Sequence, residues 1–190
     1  MLIFVRHGRT AANQAGRLQG RLDQDLDEVG RAQAVAVAKM VRAMGPVHEV
    51  IASPLKRAQQ TAGAFELAVE TDERFLELSY GDLEGVKLAD VPASLWENWR
   101  TDLHYAPAGG ESLAALDLRV RGACEELAVR GSEKNIVVVS HVSPMKSAVS
   151  WALGVDMGIS WNCHLDQASV CRVAIRDGSP ILKSFNETVL

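Results

Sequence analysis

Short apolar bursts alternate along this chain with stretches of helical periodicity. That alternation narrows the fold to an α/β class, a sandwich around a mostly parallel sheet. The clearest burst is Asn135-Ile136-Val137-Val138-Val139-Ser140, which reads as a buried strand. Leu2 to Val5 predicts the first strand and Glu49 to Ala52 the second. Between them the pattern predicts a helix from Glu28 to Ala43. Asp27 is its N-cap, Val29, Ala36, Val37, Met40, Val41 and Met44 form one broad face, and Gly45-Pro46 stops it. Ser53-Pro54 reads as N-cap plus first-turn proline of a helix to Leu67, and Ser143-Pro144 repeats the signal for a helix to Leu153. A long helix from Leu113 to Val129 carries Leu113, Leu116, Val120, Cys124 and Leu127 on one stripe. In the tail, Ser169–Arg176 and Ile181–Phe185, joined at Asp177-Gly178, predict an antiparallel edge. The stretch from Glu70 to Gly110 is less regular, with short helical pieces around Pro92–Arg100.

A chain of 190 residues suits one domain. It can bury about 70% of its unfolded surface, so neither a disulfide nor a metal is required to hold a core. With 24 acidic and 20 basic side chains the net charge is −4, which excludes a global basic field for nucleic acid. No apolar run approaches the ~20 residues of a membrane helix. Met1-Leu2-Ile3-Phe4-Val5 meets Arg6 too early for a signal-peptide core. The 3 cysteines (Cys124, Cys163 and Cys171) are odd in number and show no CxxC spacing, so free thiols in a reducing cytoplasm are expected. Zinc is not expected either, since the 5 histidines lack ligand spacing.

In open α/β sheets ligands bind beyond the carboxyl ends of the strands, so the residues that follow each strand carry the functional reading. Arg6-His7-Gly8 follows the first, Ser53-Pro54-Leu55-Lys56-Arg57 the second, and Ser140-His141 the Ile136–Val139 run. All three deliver cationic or imidazole groups to one edge of the sheet. Arg57, about one turn into its helix, opposes the helix dipole at a cost of roughly 0.3–1 kcal/mol. Its side chain tilts back toward the strand ends. Lys146 repeats the pattern after Ser143-Pro144. An anion seated between such a cation and the free helix N–H groups accounts for the placement. A surface arginine tolerated at that small cost accounts for it as well. His7 is the candidate nucleophile: the chain has no P-loop, no GxSxG and no CxxxxxR loop. Arg6 and Arg57 beside it would keep the imidazole neutral, and Gly8 would let backbone approach a phosphate. A lone histidine at a strand end is by itself more often structural.

Taken together these residues resemble the histidine phosphatase superfamily, in the branch that contains cofactor-dependent phosphoglycerate mutase. Arg6-His7-Gly8-Arg9-Thr10 with Asn13 and Arg17-Leu18-Gln19-Gly20 resembles the family's opening signature, and Leu26 to Ala34 the start of its first helix. Ser53 to Ala62 is similar to its second signature, Glu77 to Gly85 to the loop that carries the acid, and Gly109-Gly110-Glu111-Ser112 and Val139-Ser140-His141 complete the set. The resemblance implies a phosphoglycerate mutase-like fold, a three-layer α/β/α sandwich with a mostly parallel central sheet and an antiparallel edge strand. It implies one histidine phosphatase domain over 1–190 with a small irregular cap at 78–110. It implies that His7 is phosphorylated, that Arg6, Arg57 and His141 hold the phosphoryl oxygens, that Glu77 is the proton donor, and that Asn13 is a further polar contact. It implies no metal and no cofactor, because the cationic side chains supply the electrostatics.

Two departures bear on function. Arg9 stands where the family often has Glu or Gln, which adds positive charge at the pocket mouth or is a solvated arginine. Val142-Ser143-Pro144 after His141 resembles the acid phosphatase and α-ribazole phosphatase-like members rather than mutases, as does the Phe185-Asn186-Glu187-Thr188 tail. Ser143 either reaches a phosphate oxygen or caps its helix. Glu111 either fixes a loop or lines the site, and Trp96, Trp99 and Tyr105 either line a lid or pack the cap. The leading expectation is a metal-independent phosphomonoesterase acting on a small phosphorylated metabolite through phosphohistidine. A phosphoglycerate mutase and a non-catalytic phosphoryl-binding module are the alternatives. Neither nucleic acid nor membrane is an expected partner, and oligomeric state is left open, with a homodimer among the outcomes.

Overall fold

The computed structural model describes residues 1–189. In chain order it holds β1 (Leu2–Arg6), α1 (Ala11–Gln14), α2 (Glu28–Met44), β2 (Glu49–Ala52), α3 (Lys56–Gly63), β3 (Val69–Thr71), α4 (Ala93–Thr101), α5 (Leu113–Gly131), β4 (Ile136–Ser140), α6 (Val142–Leu153), β5 (Val170–Arg176) and β6 (Ser179–Glu187). The sheet runs β3-β2-β4-β1-β5-β6. β3, β2, β4 and β1 pair in parallel, while β5 is antiparallel to β1 and β6 to β5. The sheet is therefore mostly parallel with an antiparallel edge.

The period of two along each strand divides the core. Leu2, Phe4, Ile136 and Val138 face Leu116, Val120 and Leu127 of α5 and Met145 and Val149 of α6. Ile3, Val5, Val137 and Val139 face Val37, Ala38 and Val41 of α2 and Ala58 and Ala62 of α3. The strands are thus buried on both sides, as the unbroken Ile136–Val139 run requires. The β5–β6 turn at Asp177 (φ 51°) and Gly178 (φ 76°) has the two positive φ angles of a tight hairpin. No helix is long and apolar enough to cross a membrane among the described residues.

Several local expectations are corrected. The buried face of α2 is Gly30, Ala34, Val37, Ala38 and Val41, whereas Val29 and Met44 are exposed. Asp27 does cap it, accepting from the Gly30 N–H at 2.7 Å. α3 ends at Gly63 rather than Leu67, because Glu66 takes φ 58° and the chain leaves for β3, a strand the pattern did not predict. Gly8 is needed for a different contact: a Cβ there would lie 2.3 Å from the Gly30 carbonyl oxygen, so the glycine lets the loop after β1 lie on the start of α2. The 78–110 segment contains two short 3-10 turns, Gly81–Leu83 and Leu88–Asp90, and α4. Buried Leu18, Val91 and Trp99 tie it down in a small apolar cluster of their own.

Candidate active site

The carboxyl ends of β2, β4 and β1 lie side by side. The Ser53 N–H donates to Val139 O and the His7 N–H to Ser140 O, each at 3.0 Å. This registers the three cationic or imidazole segments next to one another. Above them opens a cavity of about 350 Å³ whose lining includes Arg6, His7, Asn13, Gln19, Arg57 and Glu77.

Arg57 is the centre of the floor and is 1% exposed. Its Nη1 donates to Leu22 O at 2.8 Å and its Nη2 to Gly20 O at 2.7 Å. Its Nε–H lies between two imidazoles, 3.3 Å from His7 Nε2 and 3.2 Å from His141 Nδ1. Burial pulls this guanidinium down to about 10, against the attraction of Glu77. Arg6 is also held below the ordinary arginine value by burial, opposed by Glu77 and Asp166. Its Nη1 donates to Leu165 O at 2.6 Å, and its buried Nε has no partner.

The hydrogen bonds define both imidazole tautomers. His7 Nδ1 donates to Gly8 O at 2.7 Å, so Nε2 carries the lone pair that accepts from Arg57. His141 is reversed: Nδ1 accepts from Arg57, and Nε2 donates to Ser53 Oγ at 2.8 Å. Burial holds His7 well below the ordinary imidazole value, helped by the Arg57 and Arg6 charges. Burial does the same for His141, with Arg57, His7 and Arg6 adding to it. In this tautomer the unprotonated nitrogen of His7 is Nε2, on the side of Arg57. His141 is 0% exposed and stands behind Arg57, off the cavity wall.

Ser53 and Ser143 are not N-caps. The N-cap of α3 is Leu55 and that of α6 is His141. Ser53 instead orients His141. The α3 N-terminus is satisfied by Asp23, which accepts from the Lys56 N–H at 2.7 Å. The α6 N-terminus is satisfied by Glu77, whose Oε2 accepts from the Val142 N–H and whose Oε1 accepts from the Ser143 N–H, both at 3.1 Å. Glu77 is 7% exposed and faces the cavity. Its backbone oxygen accepts from Arg21 Nε at 3.3 Å and Arg119 Nη2 at 3.4 Å. Both arginines are in turn paired with Glu111. Glu111 thus fixes the loop that carries Glu77 and does not line the cavity.

Asn13 Oδ1 is occupied by the Thr10 N–H at 3.1 Å, which leaves Nδ2 as the donor this residue can offer. Gln19 is an addition that spacing alone did not single out. Its Oε1 accepts from the Thr10 hydroxyl at 3.0 Å, and its buried Nε2 has no partner. Arg9 does not charge the pocket mouth; it pairs with Asp27 at 2.8 Å. Trp96 and Trp99 both pack the cap, with ring centroids 5.4 Å apart, and line the cavity with Trp161. Tyr105 stacks edge-on against Trp99 and is not part of the lining.

Known proteins resemble this chain in sequence and in fold. The chain is 34% identical to phosphoserine phosphatase 1 of Hydrogenobacter thermophilus, over 98% of this chain and 92% of that one. Among solved structures, phosphoserine phosphatase from Entamoeba histolytica in complex with 3-phosphoglyceric acid superposes with a TM-score of 0.90 at 28% identity, covering 98% of this chain and 96% of that one. A bifunctional protein of Mycobacterium tuberculosis is 33% identical over 98% of this chain, which spans only 54% of its length; two further mycobacterial relatives match with the same coverage. The family model of the histidine phosphatase superfamily (branch 1) matches residues 2–188, and the chain belongs to that superfamily.

Proposed function

We propose that this protein is a metal-independent phosphomonoesterase that hydrolyses a small phosphorylated metabolite through a phosphohistidine. The observation that carries the reading is His7 Nε2, unprotonated and 3.3 Å from the Arg57 Nε–H at the floor of the cavity. The relatives named as phosphatases support it.

His7 Nε2 attacks phosphorus, and the bond between phosphorus and the ester oxygen breaks in line. Arg6, Arg57, Asn13 and Gln19 supply N–H groups to the equatorial oxygens, a charge-assisted set that stands in for a metal ion. His141, held by Ser53 and accepting the Arg57 Nε–H at its Nδ1, steadies that guanidinium where it meets the phosphoryl group. Glu77 is the group that gives a proton to the leaving alkoxide. The Glu77 carboxylate then takes a proton from water, the water oxygen attacks phosphorus, the P–N bond breaks, and inorganic phosphate leaves with His7 restored. The free thiols, with Cys124 and Cys171 buried, are consistent with a cytoplasmic setting.

Hydrolysis of p-nitrophenyl phosphate in excess EDTA is the test. Activity that survives EDTA and is abolished in His7→Ala, together with an acid-labile phosphoenzyme trapped in a single turnover, is expected. Full activity in His7→Ala would refute the mechanism.

A further inference from the structure

The tail Phe185-Asn186-Glu187-Thr188 takes no part in the chemistry above, and Asn186 does not line the cavity. Its backbone is nonetheless unusual. Between the Val170–Glu187 and Arg172–Ser184 pairs β6 holds one residue more than β5, and in that bulge Asn186 takes φ 54°. Arg172 pins the bulge from β5, donating to both carboxylate oxygens of Glu187 at 2.7 Å and 2.9 Å. The Asn186 amide reaches the loop before β5. Its Oδ1 accepts from the Asp166 N–H at 2.8 Å, and its Nδ2 donates to Asp166 Oδ2 at 2.9 Å. A carboxylate only accepts and an N–H only donates, so the orientation of the amide is fixed. Asparagine is suited on both counts: it tolerates the left-handed region, and it offers an acceptor and a donor together. Aspartate would set carboxylate against carboxylate, and glycine would leave both groups of Asp166 unmet.

The same loop holds Arg6 and His7. Leu165 O accepts from Arg6 Nη1 at 2.6 Å, Ser169 O accepts from the Arg6 N–H at 3.0 Å, and the Ala168 N–H donates to His7 O at 3.2 Å. The Ser169 N–H closes the turn onto Asp166 O at 3.2 Å. Among the described residues Leu165 O is the one hydrogen-bond acceptor of the Arg6 guanidinium, whose Nε has no partner. The position of that carbonyl therefore decides where the guanidinium points. Asp166, the next residue, is half-exposed and is tied to β6 by the Asn186 amide. Its charge also favours the Arg6 cation, against the burial that lowers it.

We infer that Asn186 is a positioning residue: its pairing with Asp166 fixes the Leu165 carbonyl, and through it the aim of Arg6 at the phosphoryl group. The role of Arg6 rests on the phosphatase reading; its dependence on a residue of β6 is added to that reading. Two quantities test it, the Kd for inorganic phosphate by titration calorimetry and kcat/KM for p-nitrophenyl phosphate. Asn186→Asp is expected to raise the first and lower the second by about tenfold, and Asn186→Gly, which keeps the backbone conformation without the amide, to do likewise. In the exchange variant Asp166→Asn/Asn186→Asp donor and acceptor trade places, and both quantities should recover to within about threefold. In an Arg6→Ala background Asn186→Asp should change phosphate affinity by less than about twofold, because the residue acts through Arg6. Phosphate affinity that neither single variant moves overturns the inference, as does an exchange variant that recovers nothing. So does a loss of the same size with Arg6 absent, which would mark a general loosening of the fold. Wild-type protein that binds phosphate without hydrolysing the ester would sink the phosphatase reading alone, since the affinities still judge the pairing.

Discussion

A guanidinium as buried as that of Arg57 is tolerated because the loop after α1 surrounds it with the carbonyls of Gly20 and Leu22. Those two bonds leave its Nε–H to be shared by His7 and His141, and so determine which nitrogen of each ring carries the proton. Imidazole ¹⁵N spectra of the free protein should show His7 protonated at Nδ1 and His141 at Nε2. Both should stay neutral as the pH is lowered through 6.5, the ordinary imidazole value. A cationic His7 at that pH would contradict the geometry. Arg6, His7, Arg57, Glu77 and His141 were legible because each follows a strand or stands in a recognisable motif. Gln19 was not, although it stands within such a motif: its worth arises only once Thr10 takes its carbonyl and leaves the amide facing the cavity.

Both helices that open onto the site are capped from a distance. Ser53-Pro54 and Ser143-Pro144 carry the local signal for an N-cap, yet the hydroxyl of Ser53 is spent on His141 and the N-terminal N–H groups are met by Asp23 and Glu77. Local pattern cannot reveal this, because the acceptors lie 33 residues from Lys56 and 65 from Val142. The consequence for α3 is measurable. Asp23→Ala removes the acceptor for the Lys56 N–H, next to Arg57, and should lower stability by about 1 kcal/mol in urea unfolding. Asp23→Asn, which keeps an acceptor oxygen, should lose less than half of that. Equal losses in the two variants would show that Asp23 acts through charge on Lys56 rather than as a cap. β3 and α1 escaped prediction for a simpler reason. Segments of 3 and 4 residues are too short to display a period, and the β3 pattern is exposed at Glu70 and Thr71.

At the scale of the molecule, apolar burial lies on both faces of the sheet, while the groups that oppose folding gather at one end of it. The two-sided core was legible because the strands are unbroken apolar runs; how the 78–110 segment packs was not, because its cluster of Leu18, Val91 and Trp99 joins segments distant in sequence. Holding two imidazoles neutral beside two arginines makes stability depend on pH. In the folded chain His7 and His141 titrate below 6.5, and in the unfolded chain at about that value. Below pH 6.5 the unfolded chain therefore binds more protons than the folded one, and stability falls as pH falls. Above it these two groups add no slope. Asp27, Glu49, Asp166 and Glu187, whose carboxyls are lowered by hydrogen bonds, contribute in a separate window below about pH 4.5. The urea midpoint should thus drop between pH 7.5 and pH 5.5, before any of these carboxylates is protonated. In a His7→Gln/His141→Gln double variant the drop should shrink, because glutamine has no proton to gain. An unchanged drop would assign the acid sensitivity elsewhere and remove the case for two neutral imidazoles at the floor of the cavity.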